Sequence, residues 1–274
     1  MAAVALAVAV GGEASVAKAL AEGGRQRAVA EQSAWSLNGA EAVDAVTRQA
    51  AVRGLTALPV SRDTRRPPMV ADVAQRSALL GLPARLSPDG AGIDVGYPDA
   101  PVTLTVFEDF RCPVTRDFES AQGATLADLA TRHAVLVRYV VESSLDQRLP
   151  GPGALFATNA ARAALAHGRF PLYHALLFAN QPPESEAGFT ENRLLEIASA
   201  VPGLRGPAFD AEVHRLWYRA WVAGAQRSYD DAHVHHGTPS LLLNGQEVDL
   251  GAQPQLLRDP AALRALVRNA TPSG

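Results

Sequence analysis

Cys112 is the sole cysteine among 274 residues, and its setting directs attention to thiol chemistry. It follows the β-rich run Val102-Thr-Leu-Thr-Val-Phe107 and is followed at once by Pro113 and an amphipathic helical pattern. A thiol at a strand-to-helix junction lies beside the unpaired N–H groups and positive end of the helix, where the thiolate, the form that attacks disulfides, is favoured. Pro113 suits the first helical turn, because its missing N–H costs nothing there. Far downstream, Thr238 and Pro239 precede the apolar run Leu241-Leu242-Leu243 and form the second candidate element. Glu108 and Asp109 stand just before the cysteine and are expected to be solvated charges at a loop edge. An acid held near the thiol could instead relay protons, while its negative charge would disfavour the thiolate. His233, His235 and His236 fall within four residues, and an imidazolium at His236 would favour the thiolate. Adjacent histidines rarely point at one ion, so no metal site is expected from them.

The hydrophobic pattern supplies elements to position these side chains. Val102–Phe107 reads as a strand, and Pro113–Arg132 as a helix with Val114, Phe118, Ala121, Leu126 and Leu129 facing inward. Ala134–Val141 is a second buried strand. Two strands that are apolar along their length and joined by a helix form most simply a parallel pair. A long helical block follows: Ala154–His167, Leu172–Ala179, and Glu191–Ala200 capped by Thr190. Pro207 opens a further helix carrying Phe209, Val213, Leu216, Trp217 and Trp221, whose tryptophans are expected to pack the block. His235 is expected to face the core. Strand character returns at Ser240–Leu243, and Asn244-Gly245 is a hairpin signal leading into Gln246–Leu250. Asp259-Pro260 caps a last helix with Leu263, Leu266 and Val267 inward.

Ahead of this region the signals are weaker. Met1–Val10 is continuously apolar, but a membrane-spanning helix needs about 20 such residues. No Lys or Arg precedes Lys18, as a signal peptide would require. Residues 1–24 read as an apolar leader, either a short Ala/Val helix or the remnant of a membrane anchor that starts upstream. Residues 25–85 read as an N-terminal extension, with a helix at Ala40–Leu55 and a Pro/Arg-rich linker at Ser61–Pro68. The main domain is placed at 86–274. Hydrophobic residues make up 47% and charged residues 19%, a globular balance, and a net charge of −3 argues against a nucleic-acid partner. One cysteine makes no intrachain disulfide, so cysteine usage does not reveal the compartment.

Val102-Thr-Leu-Thr-Val-Phe-Glu-Asp-Phe-Arg-Cys-Pro113 and His236-Gly-Thr-Pro-Ser-Leu-Leu-Leu-Asn-Gly245 together resemble the signature segments of DsbA-like thioredoxin-fold disulfide oxidoreductases. These are bacterial extracytoplasmic thiol–disulfide enzymes, often membrane-anchored. The resemblance runs from about Leu86 to the carboxyl end. It implies an α/β, thioredoxin-like fold with a helical insertion, at about 153–232, between the second strand and a cis-proline loop. It also implies a cis peptide at Thr238-Pro239, holding an extended substrate backbone opposite Cys112, the nucleophile. Thr115 falls where the family's resolving cysteine stands, so this chain is a single-cysteine C-P-V-T variant. The Thr115 hydroxyl could bond the thiolate, or could be that of an ordinary helix residue. Without a second cysteine no internal disulfide can store oxidising power. The expected activity is therefore mixed-disulfide exchange, in reduction or isomerisation, on thiol- or disulfide-containing proteins or low-molecular-weight thiols, with no cofactor. The alternative is a catalytically degenerate module that binds peptides or a partner protein.

Overall fold

The computed structural model describes residues 75–271; the leader, the Ala40–Leu55 helix and the Ser61–Pro68 linker lie outside the described residues. At the centre, β3 (Thr103–Asp109) and β4 (Leu136–Glu142) pair in parallel, from Thr103 opposite Leu136 to Asp109 opposite Glu142. The crossover between them is α2 (Pro113–Thr131), the connection that two parallel, doubly buried strands require. On the far side of β3 lies β5 (Ser240–Leu243), antiparallel to it, followed by β6 (Gln246–Glu247). Asn244 and Gly245 make the turn with φ of 50° and 83°, the left-handed pair that a two-residue hairpin needs. The strand ends at Glu247, with one more cross-strand bond from Val248 N–H to Leu241 O at 2.8 Å, and does not continue to Leu250.

The sheet has two further strands that the sequence pattern did not announce. β1 (Ala84–Leu86) and β2 (Ile93–Val95) form a hairpin, and β2 lies antiparallel against β4, giving the order β1-β2-β4-β3-β5-β6. Each has three residues and is set among Pro and Gly turn signals, too short to show alternation.

Helices cover both faces. α1 (Arg76–Gly81), α2, α4 (Phe170–Ala179) and α8 (Pro260–Ala270) share the larger core with Leu104, Val106, Val137 and Val141 of the sheet. The opposite face presents Phe107 and Val140 to Ala225 of α7 (Arg219–Ala232). Between β4 and α7 run α3 (Gly153–Ala166), α4, α5 (Glu191–Ser199) and α6 (Pro207–His214). Thr190 caps α5 by accepting from the Arg193 N–H at 3.3 Å, and Asp259 caps α8 by accepting from Ala261 at 2.8 Å.

Three expectations need correction. The segment after Pro207 is two helices, because the chain breaks after His214 and Leu216 turns into the left-handed region at φ 49°. Trp217 sits in that break, 63% exposed and outside the core clusters; Trp221 is the anchor, donating its indole N–H to Gly90 O at 2.7 Å. Val114 is 48% exposed, and the inward face of α2 instead carries Thr115, Phe118, Glu119, Gln122 and Leu126. That face mixes polar with apolar residues, so a pattern read on apolar residues alone mis-phases its first turn.

The helical block is locked to its loops by close backbone contact. A Cβ at Gly153, the first residue of α3, would lie 2.6 Å from both Gly188 Cα and Phe189 N. Backbone cannot yield there as a flexible side chain would. Gly153→Ala is expected to cost about 1–3 kcal/mol of stability through overpacking, read as a lowered urea midpoint with native helix content retained.

Candidate active site

β3 ends at Asp109, and the chain turns so that Cys112 N–H donates to Asp109 O at 3.0 Å. Cys112 is the extended residue preceding α2 (φ −75°, ψ 118°), and Pro113 occupies the first helical position. The cysteine is free and buried, 7% exposed, and its Sγ donates to the main-chain carbonyl of Thr238 at 3.0 Å. The sulfur accepts no hydrogen bond from the first turn of the helix. Thr238 and Pro239 are joined by a cis peptide. Two segments 126 residues apart thus meet at one sulfur atom.

Two residues that sequence reasoning missed hold this junction. Gln181 Nε2 donates to the carbonyls of both Phe110 and Cys112 at 2.9 Å. Arg111, whose side chain is 2% exposed, pairs with Asp146 at 2.8 Å and donates to the carbonyls of Gly151 and Glu186 at 3.0 Å each. Their partners lie 35 to 75 residues away in sequence, so no local spacing signals them.

The remaining candidates are arranged less directly. Thr115 is fully buried on α2, and its Oγ1 has no hydrogen-bond partner among the described residues, the Cys112 sulfur included. His236 turns to Asp249, with Nε2 3.4 Å from Oδ1. His235 does not face the core: its side chain is 81% exposed and meets Glu247 at 2.7 Å, and that hydrogen bond holds its pKa above the ordinary value. His233 is exposed and ends α7 in the left-handed conformation. His235 and His236 thus turn to different carboxylates.

Glu108 and Asp109 are not loop-edge charges. Both belong to β3 and are fully buried. Alternation along the strand sends them to opposite faces. Glu108 Oε2 lies 2.7 Å from His174 Nε2, beside Glu119. Burial pushes Glu108 up to about 8, and burial together with Glu108 raises Glu119 well above the carboxylate range. Burial also lowers His174, which favours its neutral ring. Glu108, expected as a tuner of the thiol, is engaged with this histidine. Asp109 braces the turn, accepting from Arg111 N–H at 2.7 Å and Leu145 N–H at 3.0 Å. Burial first and then Glu142 push Asp109 well above its usual range, and burial raises Glu142 too.

A buried thiol heading a helix and facing a cis X-Pro bond, on a central parallel pair flanked by helices, defines a thioredoxin-like protein. The thioredoxin family model matches residues 89–259, more than half of the sequence. The chain belongs to the thioredoxin family. Among solved structures it is similar to the reduced disulfide bond oxidoreductase DsbG of Mycobacterium tuberculosis (TM-score 0.57, 24% identity, 69% of this chain and 90% of that one). It is also similar to reduced DsbA of the same organism (0.56, 22%, 67% and 94%) and to oxidised BdbD of Bacillus subtilis (0.56, 17%, 69% and 98%). At these identities the likeness is one of fold. No curated protein sequence matches.

Two outcomes follow from these buried charges. Arg111→Met strands Asp146 and two carbonyls, and is expected to cost about 3–5 kcal/mol in denaturant unfolding. Glu142 keeps its proton in the fold to higher pH than in the unfolded chain. Its contribution to stability is therefore complete below about pH 4.5 and is lost as pH rises through the raised folded value. Stability measured from pH 5 upward should fall less steeply in Glu142→Gln than in the parent, by up to about 1.4 kcal/mol per pH unit.

Proposed function

We propose that this protein performs thiol–disulfide exchange through Cys112 alone. The observation that carries the reading is Sγ at the start of α2, 3.0 Å from Thr238 O and next to Pro239, in a thioredoxin-family chain with no second cysteine. The thiolate attacks one sulfur of R–S–S–R′, forming Cys112–S–S–R and releasing R′–S⁻. An external thiolate, R″–S⁻, then attacks the sulfur of R, regenerating the Cys112 thiolate and leaving R–S–S–R″. The number of disulfides is unchanged, so no separate oxidant or reductant is consumed. Thr238 and Pro239 hold an extended substrate main chain beside the sulfur. Thr115 fills the resolving position without a sulfur, and its hydroxyl, which has no other partner among the described residues, is the group assigned to steadying the thiolate.

The substrates on this reading are disulfide-bearing proteins outside the cytoplasm, or adducts of low-molecular-weight thiols. The family resemblance supports that location; among the described residues, no helix is long and apolar enough to cross a membrane. A second reading has one observation in its favour. The sulfur is buried and already hydrogen-bonded to Thr238, as it would be in a module that binds peptides without turnover.

Alkylation separates the two. With Cys112→Ser as blank, the folded protein is expected to react with iodoacetamide at neutral pH faster than the urea-unfolded chain. It is also expected to form a mixed disulfide that a small thiol releases. Slower labelling in the fold, recovered on unfolding, would sink the exchange reading and leave the binding module.

A further inference from the structure

About two helical turns along α2 from Cys112, Glu119 meets Glu108 of β3 and His174 of α4. Each brings one ligand atom to within 4.8 Å of the others. The core fixes their positions: the His174 ring packs among Phe110, Tyr139, Phe170 and Phe178, with centroids 4.4–5.7 Å away. Glu108 Oε1 and Glu119 Oε1 are buried and no N–H or hydroxyl reaches them among the described residues, so the two carboxyls have only each other on that side. An acceptor stranded in this way is expensive. Glu119 and His174 also line a cavity of about 420 Å³ with Leu79, Ala127, Tyr139 and Phe178.

We propose that Glu108, Glu119 and His174 form a site for a divalent transition cation, Zn²⁺ foremost, with its fourth coordination position open to the cavity. Two carboxylates, a neutral imidazole and a dication sum to zero charge, which suits an apolar interior. The donor set of nitrogen and oxygen fits zinc, manganese or iron. Calcium takes six to eight oxygens and magnesium near-ideal octahedral geometry, which this trio does not supply. Tetrahedral bonds of about 2.1 Å place ligand atoms about 3.4 Å apart. Glu108 Oε2 and His174 Nε2, now 2.7 Å apart, need to separate by about 0.7 Å. Because the ligands come from β3, α2 and α4, the ion would pin the central strand to two helices of the core. The site stands apart from thiol exchange at Cys112.

The test strips the full chain with EDTA, adds ZnCl₂, desalts and measures bound metal and thermal midpoint. The parent should retain about one zinc per chain, and its midpoint should rise by roughly 5–10 °C with free zinc about a hundredfold above Kd. Cys112→Ser and His235→Ala should behave like the parent. Glu119→Gln should bind at least about tenfold more weakly while keeping its metal-free transition. Cobalt substitution reads the ligands with no variant at all, and should give nitrogen/oxygen ligand-field bands without a thiolate charge-transfer band. No retained metal in the parent, full retention in a folded Glu119→Gln, or a thiolate band would each overturn the proposal.

Discussion

The guanidinium of Arg111 is buried and must place its donors inside the protein, and it does so on three points of the helical insertion and its approach. That requirement joins the turn between β3 and α2 to residues 146–186. Gly188 closes over the same side chain; a Cβ there would come within 3.0 Å of Nε. Gln181 then grips the carbonyls on either side of Arg111. The insertion is therefore part of what sets the thiol, and a thioredoxin sheet alone would leave the turn before Cys112 without these partners.

A second constraint is the acid that β3 carries inward. Glu108 and Asp109 close the strand on opposite faces, and each finds another carboxyl beside it, Glu119 in one case and Glu142 in the other. Isolated buried carboxylates are prohibitively costly, so such pairs exist only by holding protons or a counter-charge. Main-chain N–H groups of Arg111 and Leu145 meet both oxygens of Asp109. Glu108 has its histidine and the Glu119 carboxyl, and no main-chain N–H. The two faces of one strand thus solve the same problem differently, one by backbone donors and one by a cluster that stays under-coordinated.

The sequence was legible where the local signal and the tertiary outcome agree. The parallel pair, the crossover helix, the Asn244-Gly245 turn and the caps at Thr190 and Asp259 follow from apolar runs and turn chemistry that act over a few residues. Cys112 and Thr238-Pro239 were legible as a pair only through a family resemblance, since nothing in 126 residues of spacing brings them together. Arg111, Gln181, Glu119 and His174 were invisible because a charged or amide residue reads as solvated unless its distant partner is known. The same bias misplaced Glu108 and Asp109, and it rotated α2 by preferring Val114 over Thr115 for the interior.

Thr115 has a consequence for time as well as for chemistry. Where a second sulfur lies one turn along the helix, escape from a covalent complex is unimolecular, with a rate built into the protein. With a hydroxyl in that position, the chain has no second sulfur of its own to release a disulfide at Cys112, and on the proposed reading a thiol of the substrate or of the solution does so. For a substrate without a second thiol, the lifetime of such a complex scales inversely with the concentration of thiol outside. Dwell time of such a complex is then a reading of the surrounding redox medium.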